Sequence, residues 1–398
     1  MKPPALRVYD KIPRAAVIAP NNFRFKSLSD WSYNISLGCK HGCTFCYVPN
    51  TSTIKQEIPL EKIPGLIPPD WVQERKEGKH WGDHHWGEYS FLREWNEKEF
   101  LSSLRKAQNA KKKGKLTPDG NMAIMFCTTT DPYQTLTGPN AVMLEALRKK
   151  LVRTALELIL TESDLNVRIL TRSPLAKQDF DLYKKFADQN RILFGMSIPT
   201  LDDTLRKIYE PGAPAPERKM ETLAEAVSEG IPVYVALAPT LPDEGEKELR
   251  NTLERIKKLE PVTIFHEPIN LRAENLSRIE TQAKSLARMI RGDVFKSHAR
   301  WREYAFHQCA LVDKIAQDLE IPDGVLHQWP DKALGSKSGF LEMKRMQAER
   351  QYKTRSLSTK QLEEAEREWS QEKFPWLQYW HNPSERVSAW PPHVHKWK

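Results

Sequence analysis

What the chain lacks narrows the field first. Only five cysteines occur in 398 residues, too few to make a disulfide framework in so long a chain, and a reducing compartment is the natural setting for free thiols. No run of 18 apolar residues is present, so no membrane-spanning helix and no membrane partner are expected. The opening Met1-Lys-Pro-Pro-Ala-Leu-Arg7 holds no apolar segment of the signal-peptide kind, which predicts a soluble protein of the cytoplasm. An acidic excess is missing too: 61 Lys and Arg face 52 Asp and Glu, for a net charge of +9. That balance permits attraction to phosphate backbones without requiring it. The densest basic run, Arg105 to Lys115, is read as a solvated helix end, where cations suit the negative pole of the helix dipole.

Because cysteines are scarce, their placement is informative. Cys39, Cys43 and Cys46 fall within eight residues, with three residues in the first gap and two in the second. Thiolates favour iron–sulfur clusters, zinc or copper(I), and a cuboidal cluster takes four thiolates. Three close together would leave one iron of a [4Fe–4S] cluster open to a cofactor or substrate. Gly38 and Gly42 allow the backbone to wrap tightly, while Phe45 and Tyr47 flank the last cysteine and can shield it. A structural zinc site, with His41 as the fourth ligand, is the alternative that these residues leave open.

The rest of the chain alternates as an α/β protein should. Residues 1–30 read as an extended, proline-punctuated arm, and Trp31–Leu37 as a first strand leading into the cysteine loop. A segment of weak pattern follows, an insertion over about 51–95, rich in tryptophan and carrying His80, His84 and His85. Its aromatics either stack on bases or pin the insertion to the core; the histidine cluster could bind metal, but Gly-Asp-His-His lacks a convincing set of partners. Asn96 with Glu99 forms a helix start. Strands are expected at 122–126, 166–170, 192–197, 231–238 and 262–266, with helices at 141–160, 180–189, 218–229 and 247–259 between them. Polar residues gather where the strands end: Cys127 to Gln134, Thr171-Arg172-Ser173, Ser197, Pro239-Thr240 and Glu267 to Asn270. Ligands of parallel α/β folds collect at that edge.

The cysteine spacing, with an aromatic residue just before the third cysteine, resembles the signature of the radical S-adenosylmethionine superfamily. The count of six strands matches that family's partial (β/α)6 barrel of the TIM type. Thr-Asp-Pro-Tyr-Gln134, Thr171-Arg-Ser, Ser197-Ile-Pro-Thr-Leu, Glu210-Pro-Gly-Ala-Pro and Gly230-Ile-Pro-Val resemble blocks of its DNA repair photolyase-like group, which includes spore photoproduct lyase. The likeness covers about residues 31–270. It implies a [4Fe–4S] cluster on Cys39, Cys43 and Cys46, S-adenosyl-L-methionine on the open iron, and cleavage to a 5′-deoxyadenosyl radical. It also implies a reductant such as flavodoxin or ferredoxin. By the same resemblance Arg172 and Ser197 touch the cofactor, with Arg where the group has Lys, a change from a point charge to a planar fork. Asp131 lies near the methionine ammonium, and Phe45 lies beside the cofactor. Cys127 and Tyr133 are the catalytic candidates, Cys127 as hydrogen-atom donor, although the block Cys127-Thr-Thr-Thr-Asp131 carries one residue more than the group's pattern. The substrate implied is a damaged thymine pair in DNA; an RNA base, a peptide or a small metabolite is the alternative. A non-catalytic iron–sulfur or zinc protein would leave the strand-end blocks unexplained.

Beyond residue 270 the likeness fades into a helical extension, 271–398. Helices are expected near 275–290 and 301–319, and Val325-Leu-His-Gln-Trp329 has the composition of an added strand. Residues 343–373 read as a solvent-facing helix, Cys309 as a core residue, and the tryptophan-rich tail as a wrap around the barrel.

Overall fold

The computed structural model describes residues 8–21, 29–50, 58–110, 122–270, 275–282, 294–295, 297–328, 337–352 and 356–370. The tail from 371 onward and residues 111–121, which include the end of the basic run, lie outside them. In chain order β1 (Val8–Ala15), β2 (Ile18–Pro20), β3 (Trp31–Tyr33) and β4 (Ser36–Gly38) come first. Helices α1 (Pro69–Lys76) and α2 (Trp81–His84) follow, then β5 (Tyr89–Glu94), α3 (Glu97–Gln108) and β6 (Ala123–Phe126). Next are α4 (Ala141–Glu162), β7 (Asn166–Thr171), α5 (Phe180–Ala187), β8 (Ile192–Ser197), α6 (Asp203–Tyr209), α7 (Pro216–Ser228) and β9 (Val233–Thr240). The chain continues through α8 (Glu246–Lys257), β10 (Thr263–Pro268), α9 (Asn275–Gln282), α10 (His298–Asp318), β11 (Leu326–Gln328), α11 (Lys337–Tyr352) and α12 (Thr359–Ser370).

The main sheet runs β11-β10-β9-β8-β7-β6-β3-β2. Every pairing from β3 to β11 is parallel, and only β2 against β3 is antiparallel. This is an α/β partial barrel, open at both edges of the sheet. The six expected strands are present, and β11 extends them beside β10. Their near-continuous apolar character follows from cover on both faces: all six residues of β8 are buried. One cluster of Ile, Val, Leu and Phe from the strands and from α3, α4, α5, α7 and α8 forms the core. Asn96 caps α3 as the sequence predicts, its side chain accepting from the Glu99 N–H at 3.2 Å and donating to the Glu99 carboxylate at 2.6 Å.

Two expectations change and one open alternative closes. The first strand breaks after Tyr33, because the Asn34 side chain accepts from the N–H and hydroxyl of Thr129, both at 3.1 Å. Residues 36–38 then leave the barrel and pair antiparallel with β5, which pairs in parallel with β1 in a second, three-stranded sheet. The insertion is pinned rather than presented: Trp71 and Trp81, 4% and 3% exposed, pack with Tyr89, Phe91, Leu37 and Cys39, so neither offers a face to a base. The charged stretch after 343 is not a solvent-facing helix. Helices α11 and α12 bury Phe340, Met343 and Trp369 against Phe306 and Cys309 of α10, a stripe too narrow to register among so many charges.

Candidate active site

The cysteine loop begins where β4 ends. Gly38 and Gly42 adopt φ of +84° and +56°, conformations that a side chain disfavours. They turn the loop so that Cys39, Cys43 and Cys46 all line one cavity of about 280 Å³. None forms a disulfide. Burial pushes all three thiols up, Cys39 to about 12 with help from the nearby Asp131 charge. Thiols so placed are costly to ionise alone, whereas a metal cation would supply the counter-charge.

Three parts of the fold grip this loop by its backbone. After β6, the Thr130 hydroxyl donates to the Gly38 carbonyl at 2.6 Å, and the Gln134 carboxamide accepts from the Lys40 N–H at 2.8 Å. After α6, the Tyr209 carbonyl accepts from the Thr44 N–H at 2.9 Å, and the Gly212 N–H donates to the His41 carbonyl at 3.0 Å. From α9, Arg278 donates to the Thr44 carbonyl at 3.1 Å and the Cys46 carbonyl at 2.5 Å, and its remaining nitrogen pairs with Asp83 of α2.

The opposite wall is made of strand ends, as parallel topology requires. Cys127 to Asp131 after β6, Arg172 after β7, Ser197 of β8, Ala238 and Pro239 of β9, and Glu267 to Asn270 at and just past the end of β10 line the same cavity, together with Phe45 and Tyr47 of the loop. The blocks picked from the sequence therefore converge. Arg172 lies with its guanidinium 5.8 Å from the Phe45 ring centre and pairs with Glu210. Glu210 in turn holds the fully buried Lys219 at 2.8 Å, which donates to the Ser197 carbonyl at 3.0 Å. Burial opposes ionisation of Glu210, but Lys219 and Arg172 outweigh it and hold its carboxyl down near 2. Lys219 is absent from the sequence reading, and Glu210 appears there only as part of a block. Their contact depends on how α6 and α7 turn back toward the loop, which no local spacing shows. The Ser197 hydroxyl donates to the Ala238 carbonyl at 3.3 Å. Cys127, with φ of +60°, turns the chain out of β6, and burial keeps its thiol firmly protonated.

Two candidate residues are bound into the surrounding fold. Asp131 accepts from the Tyr133 N–H at 2.8 Å, the Thr171 hydroxyl at 2.7 Å and the Arg172 N–H at 2.7 Å, and its Oδ2 lies 3.1 Å from His41 Nε2. A carboxylate has about four acceptor directions; hydrogen bonds take three of them, the fourth faces His41, and Asp131 itself stands at the cavity wall. Burial opposes the charge, yet His41 and these donors hold the carboxyl near 2. Asp131 is a post that joins the cysteine loop to the end of β7. Tyr133 is fully buried, its hydroxyl donating to Asp179 at 2.9 Å and meeting the Tyr183 hydroxyl at 2.5 Å, beneath Arg148 of α4. Its ring faces the helices rather than the cavity, so it is not placed for catalysis.

The sequence model of the Radical SAM superfamily matches residues 33–256. The uncharacterised protein ORF301 of Acidianus two-tailed virus is 29% identical over 287 residues, 71% of this chain and 79% of its own length. The uncharacterised protein MJ0683 of Methanocaldococcus jannaschii is 33% identical over 126 residues, 31% of this chain and 45% of its own. Among solved structures, spore photoproduct lyase complexed with dinucleoside spore photoproduct superposes with a TM-score of 0.46 at 13% identity, covering 69% of this chain and 66% of the lyase. A variant of that lyase with bound AdoMet and dinucleoside spore photoproduct gives 0.46 at 14%. The chain thus spans just under two thirds of the lyase's length.

Proposed function

This chain belongs to the Radical SAM superfamily; from that premise we propose that it is a radical enzyme holding a [4Fe–4S] cluster on Cys39, Cys43 and Cys46 and binding S-adenosyl-L-methionine beside it. The observation that carries the reading is the convergence of three free thiols and five strand ends on one cavity. When bound, cluster and cofactor would use one electron from a flavodoxin- or ferredoxin-type donor to cleave S-adenosylmethionine and begin hydrogen-atom abstraction from substrate.

The chain's own residues position and shield. Arg278, Thr130, Gln134 and Gly212 fix the loop backbone, so the thiol directions are set before any ligand arrives. Arg172, paired with Glu210, places a cation beside Cys43, where it offsets thiolate charge and can meet a ligand carboxylate. Ser197 offers a hydroxyl at the cavity wall. Phe45, Tyr234, Phe265 and Trp86 line the remainder with aromatic surface and exclude water. Cys127 faces the cavity with its S–H intact, the form that a hydrogen-atom donor needs.

The substrate class follows from the motif blocks and the basic charge: a damaged thymine pair in DNA, turned out of the duplex to reach the cavity. RNA, a peptide or a small metabolite is the alternative reading, motivated by the extra residue in Cys127-Thr-Thr-Thr-Asp131. Reduced protein is incubated with S-adenosylmethionine and thymine-photoproduct oligonucleotides, and binding is followed by mobility shift against salt. Formation of 5′-deoxyadenosine together with repaired thymine, and binding that weakens steeply with salt, is expected. Absence of binding even at low salt would sink the DNA reading.

A further inference from the structure

The insertion carries a second cluster of ligating side chains, distant in sequence from the cysteine loop and unused by the chemistry above. We propose that Glu74, His84 and His85 bind one divalent transition-metal ion of the zinc class, clipping α1 to the end of α2. One ligand atom from each residue lies within 4.8 Å of the others. Glu74 turns one carboxylate oxygen to His85 Nε2 at 2.9 Å and the other to His84 Nε2 at 3.8 Å. Donors about 2.0–2.1 Å from a tetrahedral zinc stand about 3.3 Å apart; each histidine nitrogen lies near that spacing from its own carboxylate oxygen, so a small side-chain rotation closes the three residues onto one ion.

The second observation concerns how His85 is held. Its Nδ1 lies 2.8 Å from the Glu88 carboxylate, so carboxylates face both ring nitrogens. With a metal at Nε2, Glu74 and His85 both become ligands and Nδ1–H donates to Glu88. A carboxylate behind a ligating histidine is the support that metal sites use to fix tautomer and ring orientation. Trp71 stacks on the same ring at 4.0 Å between centres and 10° between planes, which fixes its orientation further.

Two imidazoles and one carboxylate make a borderline donor set suited to zinc rather than to magnesium or calcium. His84, with half of its side chain exposed, opens the site to solvent, so a water completes the coordination. The sequence shows only His84 and His85, since Glu74 arrives through the turn between α1 and α2. Trp71 and Trp81, on the two helices joined, pack in the cluster that contains Cys39, so a metal here would brace the floor beneath the cysteine loop.

The test uses cluster-loaded protein, stripped of loose metal with a mild chelator and dialysed anaerobically against zinc, with zinc and iron both counted. Wild type is expected to take up one zinc per chain with iron unchanged. His84→Ala, at an exposed position where folding is not at risk, is expected to lose that zinc and keep its iron. Glu88→Gln is expected to weaken zinc about 10–100-fold. Cobalt in place of zinc is expected to give ligand-field absorption without a thiolate charge-transfer band. Equal zinc uptake by wild type and His84→Ala, or a thiolate band from the cobalt form, would overturn the assignment.

Discussion

Asp131→Asn isolates the post beneath the cysteine loop. The change keeps shape and volume but removes the charge that His41, Thr171 and two backbone N–H groups converge on. A carboxyl held near 2 instead of its ordinary 3.8 stabilises the folded chain by roughly 2–3 kcal/mol at neutral pH. Because the folded value is depressed, that contribution is full above the unfolded value near 3.8 and is lost as pH falls toward 2. The substituted amide also turns an NH2 toward at least one donor, and a buried N–H left without an acceptor costs about 1–3 kcal/mol. Urea unfolding followed by tryptophan fluorescence is expected to show Asp131→Asn about 3–6 kcal/mol less stable at pH 7. The gap should narrow below pH 4. A loss under about 0.5 kcal/mol at pH 7, or a gap that stays constant down to pH 3, would refute the reasoning, since surface substitutions give differences of that size.

Other parts of the account have their own tests. Cys127→Ala is expected to retain full iron and cofactor cleavage but alter the product distribution; products unchanged from wild type would return Cys127 to a packing role. Arg278→Ala removes three contacts that join α9 to the cysteine loop and α2, and iron is expected to be lost to a chelator at least tenfold faster, whereas an unchanged rate would mean that the other two grips suffice. Glu244, buried near Thr200 and pushed up to about 8 by that burial, favours folding when protonated. Its raised value predicts stability present in full below about 4.5 and lost as pH rises through 8, so Glu244→Gln should flatten the fall in melting temperature across that same interval; parallel curves would contradict this.

Local features were the legible ones. Cys39, Cys43 and Cys46 are neighbours in sequence, so their shared role shows in spacing alone, and buried parallel strands announce themselves as apolar runs. The strand-end blocks also converge as expected, because parallel topology sends every such end to one edge. Contacts made by the return of distant elements were hidden. Glu210 meets Lys219 across the turn from α6 to α7, and Arg278 reaches the loop from outside the recognised motifs. Tyr133 follows a strand-end aspartate, the usual address of a site residue, yet its ring turns under α4 to meet Tyr183. Asp131 lines the cavity, but its four partners come from three segments, so only the fold reveals them. Trp71 and Trp81 carry no visible period because they fill a small core from short helices.

The central claim is that the cysteine loop supports reductive cleavage of S-adenosylmethionine. Anaerobically reconstituted protein, its iron counted, is reduced with dithionite in the presence of S-adenosylmethionine, with and without thymine-photoproduct oligonucleotide, and 5′-deoxyadenosine is measured. The account predicts four iron atoms per chain and product from wild type, with both lost in Cys43→Ala. Wild type that carries its iron yet yields no 5′-deoxyadenosine under either condition, or a Cys43→Ala variant that yields as much as wild type, would contradict it.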